Sequence, residues 1–224
     1  MDLIYCANGN KRFAEIAISH GFFYGAQMPG TVYFPPMFCD QDWKKPDRQR
    51  YMASLAEHKP HIASVLDLER YEQLDEVLGW AEDAAQWVDV VMIIPKFFGA
   101  IELLPRSIGG KPIRLGYSVP TKFGGTEVPV WEFAGWPVHL LGGSPHAQMQ
   151  MCNYLSVVST DGNYAKKMAI QYGQFWVPGN ARYAANRYWP KLSEAGNYVD
   201  DDMPYVAFEH SCQNIMAAWR KLNL

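Results

Sequence analysis

Short apolar runs alternate along the chain with stretches whose apolar residues recur every three or four positions. The first kind predicts buried strands, the second amphipathic helices that cover them. Residues 3–6 read as a strand entering a turn at Asn8-Gly9-Asn10, and Phe13, Ile16, Ala17 and His20 then share one helical face. A second strand is predicted over 22–26. Residues 28–46 follow as a long irregular stretch rich in Pro and aromatics, of the kind that is often functional inside a compact domain. A helix is predicted over 47–58, a strand over 61–68, and a helix over 71–87 with Leu74, Val77, Leu78, Ala81 and Ala85 on one side. VDVVMIIP at 88–95 is the clearest buried strand. Further strands are predicted over 113–119, 138–141 and 155–159, and helices over 145–154, 164–174 and 211–222.

Strand-helix-strand alternation implies parallel strands covered by helices. About seven strands are expected. A doubly wound sheet usually carries a Gly-rich fingerprint after its first strand, and ANGN at 7–10 matches that poorly. The predicted fold class is therefore α/β, a (β/α) TIM-type barrel in reduced or irregular form. It forms a single domain over 1–224 with an irregular and helical C-terminal extension from about 175. No linker, repeat or low-complexity segment divides the chain.

Composition narrows the function. With 49% hydrophobic and 19% charged residues among 224, the chain supports a large core. The net charge of −3, with scattered Lys and Arg, argues against autonomous tight nucleic-acid binding through a basic face. It leaves room for a local groove or for a partner that supplies one. Cys6, Cys39, Cys152 and Cys212 form no CxxC pair, so free thiols in a reducing cytoplasm are expected rather than disulfides or zinc. The N-terminus has no signal-peptide pattern, and no apolar run is long enough to span a bilayer.

In (β/α) barrels chemistry sits at the C-terminal ends of strands, which turns the strand pattern into candidate residues. These are Asp67 and Glu69; Lys96; Gly116, Tyr117 and Ser118; Gly142, Gly143 and Ser144; and Asp161 with Asn163. Gly142-Gly143-Ser144-Pro145 suits close backbone approach to a ligand, with Ser144 as N-cap and Pro145 opening a helix. It equally suits an ordinary tight turn. Asp161 reads as a nucleophile, a general base or a helix cap. Asp67 and Glu69 point to one side of an extended strand; they either read donor groups on a base or divide between Arg70 and solvent. Lys96 reads as an electrostatic stabiliser or a solvated strand-end lysine. His139 lies inside a strand and reads as a packed core histidine. Arg182, Arg187 and Tyr188 are candidates for phosphate contact. G-x-S-x-G, HExxH and P-loop motifs are absent, which disfavours serine, metal and triphosphate hydrolysis.

The order LGYSVP, WPVHLLGGSP, SVVSTDGN resembles the tRNA-guanine transglycosylase superfamily. It comes closest to the phage and bacterial branch that places 7-deazaguanines in DNA and lacks the zinc module. The resemblance covers about residues 62–163. HLLGGSP matches that family's YLMGVGTP-like strand end, and Asp161 falls near the position of its nucleophilic aspartate. Asp67 falls where the family reads the base, and IIPK where it has a glutamine-bearing strand end. The DSGGFQ motif and the three-cysteine, one-histidine zinc site have no counterpart, which points to a compact branch acting on DNA or a smaller nucleoside. The resemblance implies a base exchange of guanine for a 7-deazaguanine in nucleic acid, DNA ahead of tRNA, through an aspartyl-sugar intermediate. Asp161 would be the nucleophile and Asp67, with Glu69, would read the base. Gly116 and Gly142-Gly143 would hold base or ribose, and Tyr117 or Phe97 would stack on it.

No cofactor or metal is called for. The expected partners are nucleic acid and a 7-deazaguanine base, with no membrane, in the cytoplasm (the host's, if phage-encoded), as a homo-oligomer or beside a partner subunit. Two other expectations stand beside this one. The first is an N-glycosidase or other phosphate- or sugar-binding barrel hydrolase. The second is a non-catalytic subunit of a nucleic-acid modification complex.

Overall fold

The computed structural model describes residues 1–6, 9–120, 125–179, 189–194 and 201–222. Nine strands are present among them: β1 (Asp2–Cys6), β2 (Phe23–Met28), β3 (Phe38–Gln41), β4 (Ile62–Leu68), β5 (Val90–Pro95), β6 (Ser107–Ile108), β7 (Lys111–Ser118), β8 (Val138–Leu141) and β9 (Val157–Asp161). Eight of them run parallel in the order β1-β2-β3-β4-β5-β7-β8-β9, and β9 pairs back to β1. Pairing of Val91 with Ile113 and of Ile93 with Leu115 joins β5 to β7 and closes the ring. The fold is an α/β barrel of the TIM type. The short β6 lies outside the ring and pairs only with the start of β7.

Among the described residues six α-helices flank the barrel: α1 (Lys11–Ser19), α2 (Arg48–His58), α3 (Leu74–Ala85), α4 (Pro145–Met151), α5 (Tyr164–Tyr172) and α6 (Met203–Leu222). The crossovers β2→β3, β5→β7 and β7→β8 hold no α-helix in their described residues, which is the sense in which the barrel is reduced. Local chemistry sets the helix starts. The Asp47 side chain accepts from the Arg50 N–H to cap α2. Ser144 accepts from Ala147 N–H and Pro145 opens α4, as its missing N–H allows. The C-terminal helix begins eight residues before its predicted start and buries Phe208, Cys212, Ile215 and Trp219. It packs on α5, α1 and α4 and serves as a wall of the barrel.

The packing has two cores. The larger lies between strands and helices, where Tyr51, Leu55, Val77, Trp80 and Trp219 are buried. The smaller fills the barrel with Ile4, Phe38, Ile62, Val90, Met92 and Ile94, and Leu141 packs against it. Alternation with period two sends successive residues of each strand to one core or the other. On β7, Tyr117 points outward onto Phe133, with ring centroids 5.2 Å apart. Its neighbour Gly116 faces inward, where a Cβ would meet Ile94 Cγ1 at 2.6 Å and Leu141 Cδ1 at 2.9 Å.

The structure revises the expectation for residues 28–46 and the bounds of β9. Residues 28–46 contain β3, whose four residues follow Pro35-Pro36 and carry Asp40 and Gln41, so only the short apolar run Met37-Phe38-Cys39 marks it. β9 runs two residues beyond its predicted end, placing Asp161 in the strand rather than in the turn after it.

Gly116→Ala should overpack the barrel interior and destabilise the protein by about 1–3 kcal/mol. Denaturant unfolding checks this, with Gly135→Ala as a contrast: there a Cβ would meet no atom within 4 Å, and the cost is backbone strain at φ +74°.

Candidate functional site

A cavity of about 670 Å³ opens at the C-terminal mouth of the barrel, a volume suited to a small organic ligand. β3 contributes Asp40 and Gln41, followed by Trp43; β4 contributes Asp67, followed by Glu69; β5 is followed by Lys96. Ser118, Glu127, Gly142, Gly143 and Asp161 close the opposite side. The barrel therefore gathers Asp67, Glu69, Lys96, Ser118, Gly142, Gly143 and Asp161 from the sequence candidates into one space.

Asp161 is the last residue of β9 and is largely buried. The Gly142 N–H donates to its Oδ1 at 3.3 Å, and His139 Nε2 lies 3.4 Å from the same oxygen. Gln148 Nε2 donates to the carbonyls of Gly142 (2.7 Å) and Asp161 (2.6 Å), tying the glycine turn to the strand end. Gly142 and Gly143 have φ of +63° and +78°, and a Cβ on Gly143 would collide with Val119; here glycine is required by the backbone. Asp161 does not cap α5, whose N-cap position is Asn163.

His139 is fully buried in the barrel interior, its ring against Phe38. Its Nδ1 lies 2.7 Å from Ser159 Oγ, which accepts from Arg114 Nη1 at 2.9 Å. Arginine can only donate. The simplest polarity therefore runs up the barrel axis: Arg114 to Ser159, the Ser159 hydroxyl to Nδ1, and the Nε2–H to Asp161. His139 is a core histidine that also orients the carboxylate above it.

Lys96 Nζ sits 3.2 Å from Asp67 Oδ2 and donates to Ser118 Oγ at 2.6 Å. Asp67 is thus paired with Lys96 and not with Arg70. Burial raises its pKa, and the adjacent ammonium opposes that rise. Asp40 has no such cation. Its Oδ1 accepts from Ser64 Oγ at 2.7 Å. Burial, offset in part by that hydrogen bond and reinforced by the charges of Asp161 and Asp67, pushes its pKa up to about 7. Gln41 lines the cavity, is nearly fully buried, and its Oε1 has no hydrogen-bond partner. Cys6 remains a thiol because burial, then the charges of Asp161 and Asp40, raise its pKa. Among the described residues no group of three or more His, Cys, Asp or Glu is placed to hold a metal ion.

Five candidates lie outside the cavity lining. Tyr117 is in the outer core because strand alternation turns it away, so it does not stack on a ligand. Gly116 is beneath the floor, where its missing side chain makes room for Ile94 and Leu141. Ser144 is buried as the cap of α4, and Asn163 flanks α5. Phe97 packs half-buried against the outer core. Arg182, Arg187 and Tyr188 lie outside the described residues. Sequence reasoning missed Asp40, Gln41, Trp43 and Glu127. The signal for the first two was a carboxylate and an amide directly after the apolar Met37-Phe38-Cys39.

The Asp40 shift has a consequence for stability. The folded protein keeps the Asp40 proton up to about pH 7, whereas an unfolded chain releases it near pH 4. Native stability from this group therefore falls as pH rises between those values, by at most about 1.4 kcal/mol per pH unit. Asp40→Asn should remove that slope. Denaturant midpoints at pH 5 and pH 8 test it: the variant gains relative to wild type at pH 8, and equal differences at both pH values would refute the assignment.

A search of curated proteins finds no match to the chain. A family described as a family of unknown function, DUF6610, matches residues 20–220. That span contains every residue lining the cavity, from Asp40 to Asp161. The chain belongs to the DUF6610 family.

Proposed function

We propose that the protein is a base-exchanging transglycosylase that replaces guanine with a 7-deazaguanine in nucleic acid, DNA ahead of tRNA. The observation that carries this reading is the pairing of two unlike carboxyl groups in one cavity. Asp161 is oriented by a peptide N–H and an imidazole, while Asp40 holds a proton near neutrality. Carboxyl groups driven to different protonation states are the usual division of labour between nucleophile and acid.

Asp161 attacks the sugar C1′, and the C1′–N9 bond breaks with its electron pair passing to guanine. Asp40 delivers its proton to the departing base, which leaves as neutral guanine. Positive charge developing on the sugar is stabilised by the surrounding carboxylates. The incoming 7-deazaguanine then gives its N9 proton to Asp40 and attacks C1′. The ester bond to Asp161 breaks and the carboxylate is restored. Asp67 and Lys96 offer an acceptor and a donor 3.2 Å apart, which fits the N–H and C=O edge of a guanine. Gln41 Oε1 supplies a further acceptor. The likeness of the LGYSVP, HLLGGSP and STDGN segments to transglycosylases supports the same reading.

Incubation of the protein with a guanine-containing oligonucleotide and a labelled 7-deazaguanine tests this. Label should enter the polymer, and Asp161→Asn should lower the rate about 1,000-fold or more. Release of free guanine without incorporation would make the protein an N-glycosidase. Absence of both, on DNA and on tRNA, would overturn the enzyme reading.

A further inference from the structure

Exposed aromatic rings cluster in the connections that leave neighbouring barrel strands. Five aromatic side chains among the described residues are more than 60% exposed: Trp43 (64%), Tyr71 (62%), Phe98 (71%), Trp131 (73%) and Tyr154 (68%). The first four lie in the connections that leave β3, β4, β5 and β7, four strands that neighbour one another around the barrel. Tyr154 lies elsewhere, just before β9. The Glu132 carboxylate accepts from Gly99 N–H at 3.0 and 3.2 Å. That bond draws Trp131 and Phe98, each the neighbour of one partner, into adjoining loops. Trp43 itself lines the cavity. Exposing this much ring surface on one arc is costly unless something covers it.

Cations flank two of the four rings, Trp43 and Tyr71. Lys44 Nζ lies 5.3 Å from the centroid of the Trp43 ring. Lys45 follows it, and Arg70 precedes Tyr71, both exposed. Flat apolar faces alternating with cations are the chemistry that holds unpaired nucleic acid: bases stack on the rings and the phosphates meet the cations. A duplex hides its base faces within its own stack and offers nothing to these rings. Neighbouring strands in a sheet are about 4.8 Å apart, so loops on four adjacent strands span only a few nucleotides.

We infer that the Trp43, Tyr71, Phe98 and Trp131 arc is a stacking platform for a short single-stranded stretch of nucleic acid beside the nucleotide held in the cavity. This rests on the transglycosylase reading for its choice of polymer. It adds that the polymer is engaged unpaired, by stacking more than by charge.

Fluorescence anisotropy of the full chain with a labelled single-stranded 12-mer DNA, the same sequence as a duplex, and a soluble glucan of similar size tests it. The single strand should bind at least ten-fold more tightly than the duplex. The combined Phe98→Ala and Trp131→Ala variant should weaken single-strand binding about ten-fold or more, with an unchanged thermal midpoint because both rings are exposed. Equal affinity for single strand and duplex, an unaffected double variant, or binding of the glucan alone would each overturn the platform. The two proposals fail separately. Single-strand binding without any exchange or base release sinks the enzyme reading and leaves the platform. Exchange with no loss of affinity in the double variant does the reverse.

Discussion

Pairing between β5 and β7 closes the parallel sheet, and the site depends on that closure. An open sheet of these strands would spread its C-terminal ends along an edge. Closed, it brings the ends of β3, β4, β5, β7, β8 and β9 to one mouth and splits each strand's residues between an inner and an outer core. The inner core is apolar beside β1, β3, β4 and β5, carries the Arg114–Ser159–His139 relay beside β7, β8 and β9, and is polar at the mouth. Phe38 and Ile62 sit below Asp40, and Met92 and Ile94 sit below Lys96. The missing side chain of Gly116 leaves the space that Ile94 and Leu141 fill under the cavity.

Gathering three aspartates in a poorly solvated space is electrostatically expensive, and the barrel meets that cost in three ways. Asp67 lies against an ammonium, Lys96, which is itself held by Ser118. Asp161 receives a peptide N–H and faces an imidazole backed by Ser159 and Arg114. Asp40 keeps its proton to about pH 7. The three solutions leave three different surroundings: an ammonium at Asp67, a peptide N–H and an imidazole at Asp161, and a retained proton at Asp40. The proposed group transfer draws on that differentiation more than on the number of carboxylates.

The cavity and the aromatic arc are separate consequences of one architecture. Strand termini are fixed in the sheet and supply the groups that need sub-ångström placement. The loops beyond them are free of that constraint and carry Trp43, Phe98 and Trp131, where the proposed stacking would tolerate looser geometry. The barrel class, the strand-end candidates Asp67, Lys96 and Ser118, and the turn at Gly142-Gly143 were legible because short apolar runs and glycine placement are local signals. Tyr117 was misread because one residue of strand register decides which core it enters.

The sequence by itself determined the alternation that demands a parallel barrel, the capped start of α4 at Ser144-Pro145, and a carboxylate at the end of the strand that follows. These follow from backbone propensity, capping and burial period, all readable within a dozen residues. Tertiary structure decided the rest. It made a strand of Phe38–Gln41, whose apolar run is too short to mark a strand by itself and which exists because β2 and β4 pair with it on both sides. It placed His139 under Asp161 across two adjacent strands, and it raised Asp40 toward neutrality by enclosing it near two other carboxylates. Such effects depend on distances between residues far apart in the chain, and no local pattern encodes them.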